Sequence, residues 1–367
     1  MPATTRHTSA SIVVVTSIDA PSRRAPISGQ ALGIALVLVS AAGFGSGALL
    51  VQPLYDADME PLAVLFWRFA TAALFSWGYL LLSGRRRASL RALSRRRVAV
   101  LLFLGALYVG NSYAFIASLQ VVSISLASII TYLYPALVAV MATRLVRRLE
   151  GRRAWIALGI SIFGVALTVG GIPEGELPPL WGLALAFANP IIYATWIVLQ
   201  ARLAGERPTH QAGPAGVAEP GIDIPPGDAE TATDAPDPAP AAALMTSATA
   251  LVFALLLLGS GGSVSPLDVP TGTWLPLLGF GLVATAIAIQ TFYAGVKRIG
   301  GARASLISTV EPVYTVALAV ILFGEHLSTM QLIGGALVIF AVILAETGRP
   351  TSEPGSGTTD TVATTAN

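Results

Sequence analysis

Ten stretches of this chain are apolar over about the length that a helix needs to cross a lipid bilayer. They cover residues 31–51, 61–83, 98–118, 122–143, 154–171, 179–201, 242–260, 273–296, 302–323 and 328–346. A span takes roughly 20 mainly apolar residues. The fifth run is short and leaves little room for tilt. Composition agrees, with a mean hydropathy of +0.71, 54% hydrophobic residues and 11% charged. A soluble domain is about one quarter charged. The expected fold class is an all-α integral membrane protein of ten transmembrane helices.

The basic residues sort themselves by side. Arg6, Arg23 and Arg24 precede the first run, seven arginines fill "GRRRASLRALSRRR", and five fill "RLVRRLEGRR". Arg202, Arg207, Lys297, Arg298, Arg303 and Arg349 fall in the remaining alternate connections. With ten spans, 21 of the 22 basic residues share one face, while the other carries Asp56, Asp58, Glu60, Glu174, Glu176, Asp268 and Glu325. By the positive-inside rule the basic face is cytoplasmic, with both termini inside a multi-pass plasma-membrane protein. One missed span would scramble the sorting. Arg23-Arg24 before an apolar run also fits a signal peptide, but that run is span-length and nine more follow, so an uncleaved first helix is expected. The pI near 9.0 therefore reflects this asymmetry and not a nucleic-acid partner. No cysteine is present, and His7, His210 and His326 fall in tails or loops. Thiol chemistry and cysteine-ligated metal are excluded, and no metal or cofactor is expected.

Residues 1–29 and 348–367 are polar and rich in Thr, Ser and Pro, and are read as disordered cytoplasmic tails. Segment 203–241 holds eight prolines, seven acids and no Phe, Tyr or Trp, and is read as a disordered cytoplasmic tether. It does not divide the chain. A gapless shift of 177 residues lays Ala127-Ser128 on Ala304-Ser305, Pro135 on Pro312 and "IFGVAL" on "IFAVIL", with 11 of 41 positions identical from Ala127 to Leu167. Two five-span repeats follow, at 30–171 and 172–347. Five is odd, so the second half enters the membrane from the opposite side. Inverted repeats of this kind are a frequent design of secondary transporters, with the site near the midplane between halves.

Two segments carry a family resemblance. "TVEPVYTVALAVILFGEHLSTMQLIGGALVIFAVIL" (309–344), with Glu311-Pro312, Gly324-Glu325 and Gly334, resembles the last two helices of the EamA-type drug/metabolite transporters. "ASIITYLYPALVAV" and "LEGRRAWIALGISIFGV", with Pro135, Glu150, Gly159 and Gly164, are similar to the first-half copy, and Arg68 matches the family's second-helix arginine. The long linker departs from the pattern, as does Arg148 at the repeat-equivalent place of Glu325. The resemblance implies ten helices, cytoplasmic termini, a cavity between the halves, and export or exchange of small metabolites. It also implies a structural or gating role for Glu325. Helix-start electrostatics or a cap explains that residue without any substrate contact.

Two ionisable residues lie deep in apolar runs. At about 1.5 Å per residue, Glu311 is about 14 Å from one face and Arg68 about 10 Å from the other. An intramembrane charge is costly and marks function by default. Glu311 has three readings: an ion pair with Arg68, a titrating group that couples protons to substrate, or a protonated donor to a neighbouring helix. A guanidinium suits a carboxylate-bearing substrate such as an amino acid. Pro135, Pro190 and Pro312 are expected to break helices and serve gating, since each removes a backbone donor. Asn111, Tyr113, Asn189, Tyr193, Gln290 and Tyr314 complete the candidate substrate contacts. For any one of them a satisfied packing contact competes. The same holds for Gly43 and Gly47, whose spacing suits close helix packing.

No GxxxxGK[ST] motif occurs, which argues against ATP-driven transport by this chain. An intramembrane enzyme has no His cluster and no paired membrane acids to draw on. The expected function is secondary active transport of small metabolites by alternating access. The rival is a non-transporting membrane receptor or scaffold. A polar cavity holding Arg68 and Glu311 favours the first, and a solid apolar core the second.

Overall fold

A computed structural model describes residues 27–145, 151–172, 176–203 and 238–347. The tails and most of the linker, with Arg148, Glu150 and Glu174, lie outside the described residues. Every regular element among the described residues is helical: α1 (Ile27–Tyr55), α2 (Pro61–Leu81), α3 (Gly84–Arg91), α4 (Arg95–Ser118), α5 (Ile124–Thr131), α6 (Tyr134–Leu145) and α7 (Gly151–Gly170). There follow α8 (Leu180–Leu203), α9 (Ala239–Gly259), α10 (Trp274–Gly281), α11 (Ala288–Ile299), α12 (Gly301–Ser308), α13 (Val310–Phe323) and α14 (Thr329–Thr347). A π-helical stretch, Leu282–Ile287, joins α10 to α11 into one long rod.

Six helices are long and apolar enough to cross a membrane, namely α1, α2, α4, α8, α9 and the α10–α11 rod. Four shorter apolar helices, Ile124–Val138, Trp155–Gly170, Val310–Phe323 and Thr329–Leu344, fall on the fourth, fifth, ninth and tenth expected spans. Large apolar side chains such as Leu74, Leu82, Leu180, Leu255 and Ile321 cover the outer surface. Such faces belong in lipid.

Local chemistry sets the helix ends. Ser94 Oγ accepts from the Arg97 amide at the start of α4. Ser328 and Gln331 form a reciprocal capping box on α14 at 2.8 and 3.2 Å, the arrangement that satisfies two orphan amides at once. Gly324, at φ 65°, ends α13 in the left-handed region, where glycine carries no steric penalty. Two elements differ from expectation. The Arg-rich connection after α2 contains the short helix α3. Helix α9 begins at Ala239, inside the segment read as linker, because prolines are compatible with a helix's first turn.

The expected ninth and fourth spans are broken, but not at their prolines. The chain leaves the helix at Tyr132 and Leu133 between α5 and α6, and at Thr309 between α12 and α13. Pro135 and Pro312 then sit in the first turn of the following helix, where a missing N–H costs nothing. Tyr132 and Thr309 are themselves 177 residues apart, so both breaks fall at the same point of the internal repeat. Pro190 corrects the expectation outright, since α8 runs through it without interruption.

The helices pack in a recurring pattern. Helix α1 lies on α11 and α13, while α8 lies on α4, α5 and α6. Helix α2 lies on α10, and α4 on α9. Three further pairs are α2 with α9, α5 with α13, and α7 with α14. Glycines set the closest approaches. A Cβ at Gly164 would meet the Gly334 carbonyl at 2.7 Å, and one at Gly334 would strike that of Gly164. Gly43 and Gly47 face Val283 and Phe280 across the α1 seam, which is the packing role.

Candidate functional site

Arg68 lies on the inner face of α2 and is 3% exposed. Its guanidinium stacks 4.2 Å from the Phe280 ring centroid and 5.0 Å from that of Phe69. Such cation–π contacts strengthen where water is excluded. Its Nε donates to Thr285 Oγ1 at 3.2 Å. That threonine belongs to the π-helical stretch, and its hydroxyl donates to the Phe280 carbonyl five residues back, at 3.0 Å. Irregular turns of this type recur at functional sites. Here the turn positions the hydroxyl that orients the arginine.

Glu311 is 2% exposed and sits in the first turn of α13. The break at Thr309 therefore creates a helix start within the apolar run, whose partial positive charge favours an acid there. This explains how the chain tolerates that carboxylate. Glu311 Oε2 and the hydroxyl of Tyr132 have no hydrogen-bond partner among the described residues. Of the three readings of Glu311, the ion pair with Arg68 is not formed among the described residues, for Arg68 turns instead to Thr285 and the two phenyl rings.

Arg68 and Glu311 do meet across one cavity. Gly45, Ser128, Tyr132 and Thr315 line it with them. Its volume is about 10 Å³, room for about one water. Gly45 is what allows α13 so close, since a Cβ there would press on Thr315 Oγ1 at 2.6 Å and Tyr314 at 2.8 Å. Thr315 donates to the Gly45 carbonyl at 3.2 Å, and the Tyr314 hydroxyl bonds Ser46 Oγ at 3.0 Å.

A second small cavity shares Arg68 and is lined by Asn111, Ser112, Thr131, Asn189 and Tyr193. Asn189 joins three helices here. Its Nδ2 donates to Asn111 Oδ1 at 2.8 Å and to the Asn111 carbonyl at 3.2 Å, while its Oδ1 accepts from Thr131 at 2.9 Å. Rings of Tyr108, Tyr134, Tyr193 and Trp196 enclose this end, with Tyr134 and Tyr193 only 4.7 Å apart between centroids. The hydroxyls of Tyr108 and Ser112 are also buried without a hydrogen-bond partner among the described residues.

Of the sequence-proposed contacts, Arg68, Glu311, Asn111, Asn189 and Tyr193 line these two cavities, and Tyr314 flanks the first. Tyr113 does not join them. It is 39% exposed, because two residues beyond Asn111 turn it roughly 200° around α4. Gln290 lies in a groove between α2 and α11. Thr285, Ser128, Thr315, Tyr108 and Tyr134 were not foreseen. Ser and Thr are too common in apolar helices to signal a site, although Tyr134-Pro135 stands directly at the break.

Glu325 lies apart from the cavities and ties α5 to the connection between α13 and α14. Its carboxylate accepts from the amides of Ile124 at 2.7 Å and Ser125 at 3.0 Å. Ser123 Oγ takes the Leu126 amide. All three first-turn amides of α5 are thus satisfied, two of them by a residue some 200 positions away. Glu325 caps a helix, but the sequence-distant α5 and not its own neighbour α14.

A bundle of apolar helices with a buried arginine and acid at its centre fits a multi-pass membrane protein. A family model for EamA-like transporters matches residues 31–170 and 234–347, and the chain belongs to this family. Relatives carry the same broad description. An uncharacterized transporter, YcbK of Bacillus subtilis, is 25% identical over 85% of this chain and 92% of its own length. The uncharacterized inner membrane transporter YedA of Escherichia coli K12 is 25% identical over 79% of this chain and 82% of its own. A 36% identical match to an uncharacterized transporter of Archaeoglobus fulgidus spans 20% of this chain and 27% of that protein. One solved crystal structure superposes over 87% of this chain and 96% of its own, with TM-score 0.51 and 18% identity. That likeness is one of fold. The chain is a multi-pass membrane transporter.

Proposed function

We propose that this chain is a secondary active transporter of the plasma membrane, exporting or exchanging small carboxylate-bearing metabolites such as amino acids by alternating access. The observation that carries this reading is the central pair of cavities. A buried guanidinium with no carboxylate partner among the described residues shares them with orphan oxygens of Glu311, Tyr132 and Ser112. A substrate carboxylate would engage Arg68, and an ammonium would fall toward Glu311. At about 10 Å³ the space is too small for such a substrate, so the described conformation is an occluded one that must part to load.

Two features support ten spans in inverted halves. The breaks share one repeat position. The packing pairs also exchange under the repeat: α1 on α11 answers to α8 on α4, α2 on α10 to α9 on α4, and the pairs α2–α9, α5–α13 and α7–α14 map onto themselves. The basic connections favour both termini in the cytoplasm. Glu325 then stands on the outer side and latches α5 to the α13–α14 connection. Pro135 and Pro312 mark the points about which α6 and α13 swing.

The test is flux in sealed proteoliposomes with an imposed pH gradient, screening labelled amino acids and related metabolites, for wild type, Glu311→Gln and Arg68→Ala. Gradient-driven flux that Glu311→Gln uncouples would make protons the coupling ion and Glu311 their carrier. Flux untouched by either substitution would remove these residues from the site. Absence of flux for every compound would favour a receptor or scaffold.

A further inference from the structure

A groove of about 670 Å³ runs along the outside of the bundle between α2 and the α10–α11 rod, and neither Arg68 nor Glu311 lines it. Its walls are apolar, with Leu74, Leu82, Leu282 and Ile287 among them. It extends along the rod from Leu282 to Ala294, about 18 Å at 1.5 Å per residue. That is little more than one leaflet of a core about 30 Å thick.

One end of the groove is basic. Arg86 lays its guanidinium 3.6 Å over the ring of Tyr79, a wall residue, and donates to the Tyr79 carbonyl at 3.1 Å. Arg298 folds back along α11 to donate to the carbonyl of Ala294, another wall residue, at 2.6 Å. Both guanidinium groups are therefore held at the same mouth. Farther in, the groove contains polar atoms with nothing to bond. Gln290 Nε2 and Ser76 Oγ are buried without a hydrogen-bond partner among the described residues. Ser76 is 2% exposed. An orphan amide in an apolar slot calls for an acceptor.

We infer that this groove holds one anionic glycerophospholipid of the leaflet at its basic end. The phosphate sits between Arg86 and Arg298, as anionic headgroups do at basic sites beside membrane helices. An acyl chain fills the apolar slot. Gln290 is one turn, about 6 Å, deeper than Ala294, at the level where the ester carbonyls hang below a phosphate, and its amide donates to one of them. The transported metabolite plays no part in this site, and lipid retention is read without any flux.

The experiment is native mass spectrometry of the full chain in detergent, titrated separately with dioleoylphosphatidylglycerol and dioleoylphosphatidylcholine. Wild type is expected to keep one phosphatidylglycerol under conditions that strip phosphatidylcholine. Arg86→Gln with Arg298→Gln should weaken that retention by about thirtyfold, since two headgroup contacts are lost. Gly78→Trp supplies an independent variant. Gly78 lines the groove and nothing lies within 4 Å of a Cβ built there, so the indole fills the slot without disturbing the fold or the arginines. It should abolish retention, with thermal unfolding unchanged. Equal retention of the two lipids by wild type, or undiminished phosphatidylglycerol on Gly78→Trp, would overturn the assignment.

Discussion

Glu325→Ala should open one side of the central cavity, and the size of the effect can be worked from the geometry. The carboxylate accepts two amides, at 2.7 and 3.0 Å, from the first turn of α5. Losing a helix cap costs about 0.5–2 kcal/mol. Glu325 is only partly buried, so water replaces some of what is lost, and a net change of about 1.4 kcal/mol corresponds to a tenfold shift in population. The chain has no cysteine, which makes it its own reporter background. Ser128→Cys places a single thiol in the cavity wall, on the helix that Glu325 caps. The rate of its labelling by a membrane-impermeant maleimide, added on the side where Glu325 lies, should rise about tenfold when Glu325→Ala is introduced. Glu325→Gln keeps one acceptor and should fall between. A labelling rate unchanged by Glu325→Ala would refute the latch, because the cap would then hold nothing that moves.

Three further outcomes are expected. Arg68→Lys keeps the charge but loses the planar stack on Phe280 and the Nε bond to Thr285, so proteoliposome flux should drop at least about tenfold while the protein still elutes as a folded species. Asn189→Leu removes the bonds that join α8 to α4 and α5 and orphans Asn111, which should cost about 2–4 kcal/mol in denaturant unfolding from detergent. Gly164→Leu drives a side chain into the backbone of α14 and should lower the melting temperature sharply, at a cost of about 1–3 kcal/mol; Gly159→Ala, with nothing within 4 Å of its Cβ, should melt like wild type.

The family and the helical, membrane-embedded class were legible in the sequence because hydropathy and charge sorting are long-range, redundant signals. Arg68 and Glu311 stood out for a related reason, since an ionisable group in an apolar run has few bland explanations. What they bond to did not stand out. Thr285 orients Arg68 only because the rod takes a wider, π-type turn at Leu282–Ile287, and nothing in "LVATAI" marks a π-helical stretch. Tyr113 and Gln290 were placed with the site on residue type alone. Which face a residue takes depends on the phase of its helix against its neighbours, and in lipid the hydrophobic pattern that reveals phase in soluble helices is blurred. Pro190 misled for a similar reason. A proline removes one bond, but whether the helix breaks is decided by what packs around it, and Asn189 anchors that turn to α4 and α5.

The seam between α7 and α14 has a mechanical consequence. Where Gly164 and Gly334 meet, main chain rests on main chain with no side chain between. Most helix contacts can slip by exchanging rotamers, like gear teeth that find a new mesh. Here Thr168, Leu337 and Val338 flank a backbone contact that has no rotamers to exchange. Sliding at this point would drive backbone into backbone, so α7 and α14 resist movement relative to one another like two planks of one keel.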